Sequence, residues 1–327
     1  MTGRFPDLFI AGAPRCGTTF LYTALQGHPD VFMSPRKEPR YFAPDLDSGE
    51  PEIGRRRVRA EADYLSLFAD ARPDQLLGEA TAAYLGSKVA PRLIAAVSPQ
   101  ARIIVSLRDP VERMVSLHAF WTEAGFEHLP LEEAIEAEPE RAAGRMTMLM
   151  PTYPPYPRYR GSGRYGEQLQ RLVRSFPREQ VLVLFLEDLA ADPVATLARV
   201  TTFLGIPQLE SLENTRRNDV HAPRRRNRKG LPGSSVDRAK RLLTRPLRRA
   251  ARIAAGGRPR PAPSKQGAPK EELSLGMRDR LRDELREDLR LASRILEVDL
   301  VARWWGAPAP APGNGAAEAT RDRPDSG

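Results

Sequence analysis

Residues 12–19 (GAPRCGTT) form a turn rich in small residues between an apolar run at residues 5–11 and a helical stretch at 18–26. The apolar run predicts a buried strand, and apolar residues three and four positions apart predict a helix after the turn. In such a strand–turn–helix unit, the N–H groups of the turn and of the helix N-terminus attract an anion. We therefore call residues 12–19 the phosphate loop.

Six consecutive residues of the phosphate loop are candidates for phosphate contact, and they are Pro14, Arg15, Cys16, Gly17, Thr18 and Thr19. Arg15 adds a guanidinium, whose forked donors suit phosphate oxygens. The spacing matches the P-loop frame Gly-x-x-x-x-Gly-Lys-Ser/Thr, except that a threonine replaces the lysine. A P-loop kinase or NTPase needs that lysine and remains the alternative interpretation. A glycine turn that only packs the helix on the strand also stays open.

Apolar runs alternate with helical stretches along much of the chain. This alternation predicts an α/β fold in which a parallel, P-loop NTPase-like sheet is flanked by helices on both faces. Further strands are expected at residues 75–77, 102–107 and 181–186, with helices at 61–68, 89–97, 165–176, 193–204 and 271–300.

A second candidate anion site follows the run at residues 102–107. Arg108 comes directly after it, where parallel α/β sheets bind ligands. Asp109 is a good N-cap, and Glu112 completes a predicted capping box. Ser116 lies two turns into the helix that follows, so we expect it near Arg108.

Positive charge is concentrated in one segment of the 327-residue chain. Residues 216–260 hold 16 of the 51 Lys and Arg residues and 2 of the 42 Asp and Glu residues, which leaves the remainder mildly acidic. We predict a single domain at residues 1–306 with a basic, flexible insertion at about 216–265, and a disordered tail at 307–327. An anionic-polymer binder is the other alternative, although the segment has few aromatic residues for base stacking, so nucleic acid is not expected as the main partner.

The two candidate sites resemble those of the sulfotransferase superfamily, in particular its bacterial and heparan-type members. The phosphate loop is similar to that family's 5′-phosphosulfate loop, and residues 107–116 (LRDPVERMVS) are similar to its 3′-phosphate motif. The resemblance implies a sulfotransferase that uses 3′-phosphoadenosine 5′-phosphosulfate (PAPS), with Arg108 and Ser116 on the 3′-phosphate. It implies no metal.

The resemblance also implies catalytic residues. Residues 36–42 (RKEPRYF) are similar to the heparan-type stretch that carries the catalytic base, which assigns that role to Glu38, with Arg15 as a second catalytic residue. Residues 78–85 (GEATAAYL) are similar to a Glu-Lys-Ser/Thr segment, but Ala80 stands where heparan-type members have a lysine. His118 is a rival base, which we interpret as a packing residue. Cys16 has no histidine nearby in sequence to make it a nucleophile.

Cytosolic members of the superfamily hold the 3′-phosphate with an Arg-Lys-Gly triplet. Arg228, Lys229 and Gly230 are similar to it, although an arginine-rich run can produce such a triplet by chance. The single cysteine and the absence of a signal-like or membrane-spanning apolar run predict a cytoplasmic protein. The expected acceptor is a small molecule, glycan or lipid, and the basic segment could contact an anionic membrane surface. The sequence indicates no oligomeric state.

Overall fold

The structure is a computed structural model that describes residues 3–46, 57–146, 158–208 and 271–306. These residues contain a five-stranded sheet in the order β2-β3-β1-β4-β5, and all paired strands are parallel. The strands are β1 (Leu8–Gly12), β2 (Val31–Met33), β3 (Leu76–Ala80), β4 (Arg102–Leu107) and β5 (Val181–Phe185). The predicted parallel sheet is therefore confirmed.

The helices lie on both faces of the sheet. They are α1 (Thr18–Gln26), α2 (Glu61–Leu65), α3 (Ala90–Val97), α4 (Pro110–Glu123), α5 (Leu131–Glu136), α6 (Glu138–Ala142), α7 (Tyr159–Gly163), α8 (Tyr165–Val173), α9 (Leu186–Ala191), α10 (Pro193–Leu204), α11 (Leu275–Leu296) and α12 (Leu300–Trp305). None of the helices in the described ranges is long and apolar enough to cross a bilayer.

Alternate residues of each strand supply two separate cores, as the period of two in a strand requires. Phe9 of β1 and Val105 of β4 pack in one cluster with residues of α2, α3, α8 and α11. Ile10 and Ile104, one position along each strand, pack on the other face with residues of α1, α9 and α10. Because both faces are buried, the central strands appear in the sequence as continuous apolar runs.

Several predicted element boundaries are wrong, including the end of α8, which is Val173 rather than residue 176, and two of them have a clear physical cause. Strand β3 extends beyond residue 77 to Ala80, because Gly78 packs against Met33 and the Glu79 carboxyl finds buried partners. The helix predicted at residues 271–300 ends at Leu296, since Glu297 adopts a left-handed φ of 56°. Asp299 then caps the separate helix α12 by accepting from the Ala302 N–H at 2.9 Å.

Strand order determines where loops can form a binding cleft. The chain leaves β1 through α1 towards β2, at one edge of the sheet, whereas it leaves β4 towards β5, at the other edge. The loops after β1 and β4 therefore diverge from neighbouring strands, which is the position where open α/β sheets bind ligands. The Ala13 N–H donates to the Ser106 carbonyl at 2.8 Å and joins the two strand ends.

Candidate functional site

The phosphate loop lies between the end of β1 and the start of α1, as predicted. Gly17 is the N-cap of α1 with a left-handed φ of 83°, and a Cβ there would lie 2.8 Å from Leu189 Cδ2. Glycine is therefore required at this position for two reasons, its backbone conformation and the close approach of α9. No side chain of the described residues caps α1, so its first turn can bind an anion with its N–H groups.

Arg15 and Ser116 bring the two predicted anion sites into contact. Arg15 Nε donates to Ser116 Oγ at 3.2 Å, although 101 positions separate the residues, and the guanidinium lies 5.0 Å from the Phe120 ring centre. Burial, and then the positive charge of Arg108, lower the pKa of Arg15. Two guanidinium groups close enough to repel each other make a site that favours a multiply charged anion.

Arg108 is half-buried at the end of β4. Its Nε is buried and has no hydrogen-bond partner among the described residues, and such a group is costly unless a ligand satisfies it. The Tyr165 hydroxyl donates to the Arg108 carbonyl at 3.1 Å and fixes the backbone. The position and the unpaired donor both fit an arginine that binds phosphate.

Asp109 is the N-cap of α4, as predicted, and accepts from the Val111 N–H at 2.7 Å. The predicted capping box is wrong, because Glu112 forms an ion pair with Arg278 of α11 instead. The Asp109 N–H donates to Glu187 Oε1 at 3.4 Å, so a carboxylate from α9 takes the place expected for Glu112.

Arg113 supports the phosphate loop, and the sequence analysis missed this role. The side chain is buried, and its Nε donates to the Pro14 carbonyl at 2.8 Å while its Nη1 donates to the Ser162 carbonyl at 2.5 Å. It therefore holds the phosphate loop against α4 and α7. A three-residue spacing places Arg113 and Ser116 on one face of α4, and this was the available signal.

Cys16 and His118 both have structural roles. Cys16 is fully buried, and burial raises the pKa of its thiol to about 11, which disfavours a nucleophilic thiolate. His118 is also buried, and its Nε2 is 2.9 Å from the Leu129 carbonyl oxygen. The interpretation of His118 as a packing residue fits this geometry better than a role as the base.

Glu38 follows β2 at the carboxyl ends of the strands, where the phosphate loop also lies. It has a left-handed φ of 62°, and its N–H donates to the Ala80 carbonyl at 2.8 Å. Its Oε1 accepts from Lys37 Nζ at 3.0 Å and from the Ala82 N–H at 3.3 Å. These contacts fix the carboxylate, and the side chain keeps 15% exposure. Ala80, in place of the heparan-type lysine, is itself buried and offers only its backbone here.

Glu79 was quoted in the sequence motif, but its environment was not foreseen. The carboxyl is fully buried and accepts from the hydroxyls of Tyr64 at 2.7 Å, Tyr84 at 2.9 Å and Thr81 at 2.5 Å. Burial raises the pKa of Glu79 to about 7, although the three hydrogen bonds act to lower it. Tyr64 lies 15 positions away, so no local pattern could reveal the cluster.

Some predictions lie outside the described residues. Arg228, Lys229 and Gly230 are among them, as are the basic insertion at 216–265 and the tail at 307–327. Within the described ranges, no group of three or more His, Cys, Asp and Glu residues could hold a metal ion.

Known proteins are similar to this chain in both sequence and fold. Residues 6–211 match the family described as "Sulfotransferase family". Heparan sulfate glucosamine 3-O-sulfotransferase 6 of Homo sapiens is 31% identical over 206 residues, which are 63% of this chain and 54% of that protein. The bifunctional heparan sulfate N-deacetylase/N-sulfotransferase 2 of Homo sapiens is 27% identical over 229 residues, which are 66% of this chain and 24% of that protein. The chain thus spans about half the length of the first relative and a quarter of the second.

A solved structure, a sulfotransferase from Alicyclobacillus acidocaldarius, aligns with a TM-score of 0.66 and 25% identity over 91% of this chain and 98% of that one. This likeness confirms the predicted P-loop NTPase-like α/β fold. The matched residues include the phosphate loop, Glu38, Arg108 and Ser116. The chain therefore belongs to the sulfotransferase family.

Proposed function

We propose that this protein transfers a sulfuryl group from PAPS to a hydroxyl or amine of an acceptor. The Arg15–Ser116 hydrogen bond carries the proposal, because it joins the phosphate loop and the middle of α4 into one site. PAPS has phosphate at both the 3′ and the 5′ position, so two linked anion sites suit it better than a single phosphate pocket would. The family match and the sulfotransferase names of the relatives support the same donor.

In the proposed reaction, the acceptor oxygen or nitrogen attacks sulfur. The bond between sulfur and the bridging oxygen of the 5′-phosphate breaks, and adenosine 3′,5′-bisphosphate (PAP) leaves. The phosphate loop N–H groups, Arg15 and the Thr18 and Thr19 hydroxyls stabilise charge on the leaving phosphate. Arg108 and Ser116 bind the 3′-phosphate, and Glu38 accepts the proton of the acceptor. Pro14, Cys16 and Gly17 shape the loop. No step uses a metal.

Binding of PAP, measured by isothermal titration calorimetry, tests the nucleotide site without any acceptor. A hydrogen bond to a charged group contributes about 1.5–3 kcal/mol, so Arg108→Ala should weaken PAP binding by roughly 10- to 100-fold. Arg102→Ala is the matched control, because Arg102 lies at the opposite end of the same strand and binds the Leu204 carbonyl. Binding of Mg-ATP in preference to PAP would favour the kinase alternative and refute the proposal.

Transfer from sulfur-labelled PAPS to a panel of glycans, lipids and small phenols tests the reaction itself. The two heparan sulfate enzymes among the relatives make sulfatable glycans the first acceptors to try. Glu38→Gln keeps the shape of the side chain but removes the base, so turnover should fall by about 10²- to 10⁴-fold. Its PAP affinity should stay at the wild-type value. Wild-type turnover in Glu38→Gln would exclude Glu38 as the base.

Several finer expectations stay predictions. They are the cytoplasmic location, the single domain at residues 1–306, the contribution of Arg228, Lys229 and Gly230 to the nucleotide site, and contact of the basic segment with anionic surfaces. Lys229→Ala should weaken PAP binding if the triplet contributes, and unchanged binding would remove it from the site. Cell fractionation tests the location.

A further inference from the structure

The segment that carries Glu38 is held by hydrogen bonds from a neighbouring strand end. We call residues 38–42 (EPRYF) the Glu38 turn. Two of its non-glycine residues, Glu38 and Arg40, adopt left-handed φ values of 62° and 58°. Left-handed backbone at such residues costs about 1–3 kcal/mol each. The turn therefore needs surrounding contacts to keep this shape.

Two of those contacts run through hydroxyl groups to Glu79. The Arg40 N–H donates to Thr81 Oγ1 at 3.2 Å, and the Thr81 hydroxyl donates to Glu79 Oε1 at 2.5 Å. The Phe42 N–H donates to the Tyr84 hydroxyl oxygen at 3.3 Å, and that hydroxyl donates to Glu79 Oε2 at 2.9 Å. Each hydroxyl thus links one amide of the Glu38 turn to the same carboxyl.

The direction of these hydrogen bonds depends on the carboxylate. Above its pKa of about 7, Glu79 is ionised and offers acceptors only, so the Thr81 and Tyr84 hydroxyls each point their hydrogen at it. Their oxygen lone pairs then remain for the N–H groups of Arg40 and Phe42. A glutamine side chain at position 79 has only one acceptor oxygen, so at least one of the three hydroxyl hydrogens would lose its acceptor.

The Glu38 carboxylate is fixed by the same strand end. The Glu38 N–H donates to the Ala80 carbonyl, directly after Glu79, and Glu38 Oε1 accepts from the Ala82 N–H, directly after Thr81. The Tyr41 ring stacks on Tyr64 with ring centres 4.3 Å apart, and the Tyr64 hydroxyl is the third donor to Glu79. Displacement of the Glu38 turn would therefore move the proposed base.

We propose that Glu79 is a positioning residue, whose buried carboxylate orients the Thr81 and Tyr84 hydroxyls and thereby holds the Glu38 turn in its reactive geometry. This inference rests on the proposed function, because it assigns Glu38 as the base. Glu79 is fully buried and has no described contact with the phosphate loop, so its effect on the reaction passes through the turn.

Hydrogen exchange at the amides of residues 38–42, measured at pH 8 where the Glu79 carboxyl is mostly ionised, tests the structural part without any acceptor. Thr81→Ala and Glu79→Gln should each speed exchange at Arg40 by about tenfold or more, whereas Thr81→Ser keeps the hydroxyl and should restore the wild-type rate. Thr201→Ala is the matched control, because Thr201 is equally buried but its hydroxyl binds the Leu197 and Ala198 carbonyls of α10. Wild-type exchange at Arg40 and Phe42 in both Thr81→Ala and Glu79→Gln would overturn the proposal.

Turnover with labelled PAPS tests the catalytic part. Misplacement of a reacting group by about 1 Å costs up to about 100-fold, so Glu79→Gln should lower kcat by roughly tenfold or more and leave the Kd for PAP unchanged. In a Glu38→Gln background, the same substitution should cost nothing further. An equal loss in both backgrounds would show that Glu79 does not act through Glu38. Absence of PAP binding by the wild-type protein would refute the proposed function instead, and the exchange rates would still decide whether Glu79 holds the turn.

Discussion

Replacement of Glu79 by glutamine should change how the stability of the protein depends on pH. Burial raises the pKa of Glu79 from 4.5 to about 7, so the folded protein holds this proton more tightly than the unfolded chain does. Protonated Glu79 therefore contributes stability that is complete below about pH 4.5 and is lost as the pH rises through about 7. Glutamine at this position does not titrate and removes that dependence.

The size of the effect follows from the two pKa values. Integration of the linkage relation between pH 5 and pH 8 gives a loss of about 2–3 kcal/mol in the wild-type free energy of unfolding that the Glu79→Gln variant does not share. Urea titrations at pH 5, 6, 7 and 8 on both proteins measure it. The substitution can also change stability equally at every pH. Such a change does not affect the test, which compares only how the stability difference between the two proteins varies with pH.

Other carboxyl groups titrate in both proteins and so do not affect the comparison. Asp109, Glu138 and Asp288 also have pKa values raised by burial, but they are unchanged in Glu79→Gln. Besides burial, the negative charge of Glu38 contributes a little to the raised pKa of Glu79, and Glu38 is present in both proteins. If the difference in free energy of unfolding between the wild type and the variant stays constant from pH 5 to pH 8, the reasoning is refuted. Glu79 would then be ionised as readily in the folded protein as in water.

Three further predictions concern residues in and beside the proposed nucleotide site. Gly17→Ala should destabilise the protein by about 1–3 kcal/mol, because a Cβ there would require a left-handed φ and would lie 2.8 Å from Leu189. Gly86→Ala is the control, because a Cβ there meets nothing within 4 Å. Equal urea midpoints for the two variants would contradict the argument. Cys16 should resist iodoacetamide at pH 8 in the folded protein and react after unfolding, because burial raises its pKa to about 11; rapid labelling of the native thiol would disprove this. Trp305→Phe removes the N–H that donates to Asp109 Oδ2 at 3.2 Å, so it should lower the free energy of unfolding in urea by about 1 kcal/mol. An unchanged free energy of unfolding would show that this hydrogen bond contributes nothing.

Local patterns were sufficient for the central strands and for helices with clear ends. Arg102–Leu107 was predicted to the residue because both faces of β4 are buried and its run is continuous. Pro193–Leu204 was predicted equally well, since Asp192 caps its start and Gly205 ends it with a left-handed φ of 63°. The phosphate loop follows β1 and Arg108 follows β4, as the sequence predicted, because the loops after parallel strands lie together at the carboxyl ends of the strands.

The missed features depend on partners that are distant in sequence. The strand predicted at residues 75–77 stopped short of Glu79, whose buried carboxyl accepts from the hydroxyl of Tyr64 in α2. The capping box failed because Arg278, 166 positions away, binds Glu112. Arg113 was quoted only as part of a motif, and its contact with Pro14 is visible only when α4 is packed against the phosphate loop. In each case a contact with a residue distant in sequence replaces the arrangement that the local pattern predicts.

Helices α11 and α12 lie beyond the family match, which ends at residue 211, yet they contribute residues to the core of the described part of the protein. Leu289, Leu296 and Leu300 join the core cluster that covers one face of the sheet, and Leu281 joins the cluster against α4. A recombinant fragment cut at the family boundary would expose this apolar surface to water and should aggregate during expression. Laboratory truncations intended for crystallisation should therefore retain the chain through Gly306.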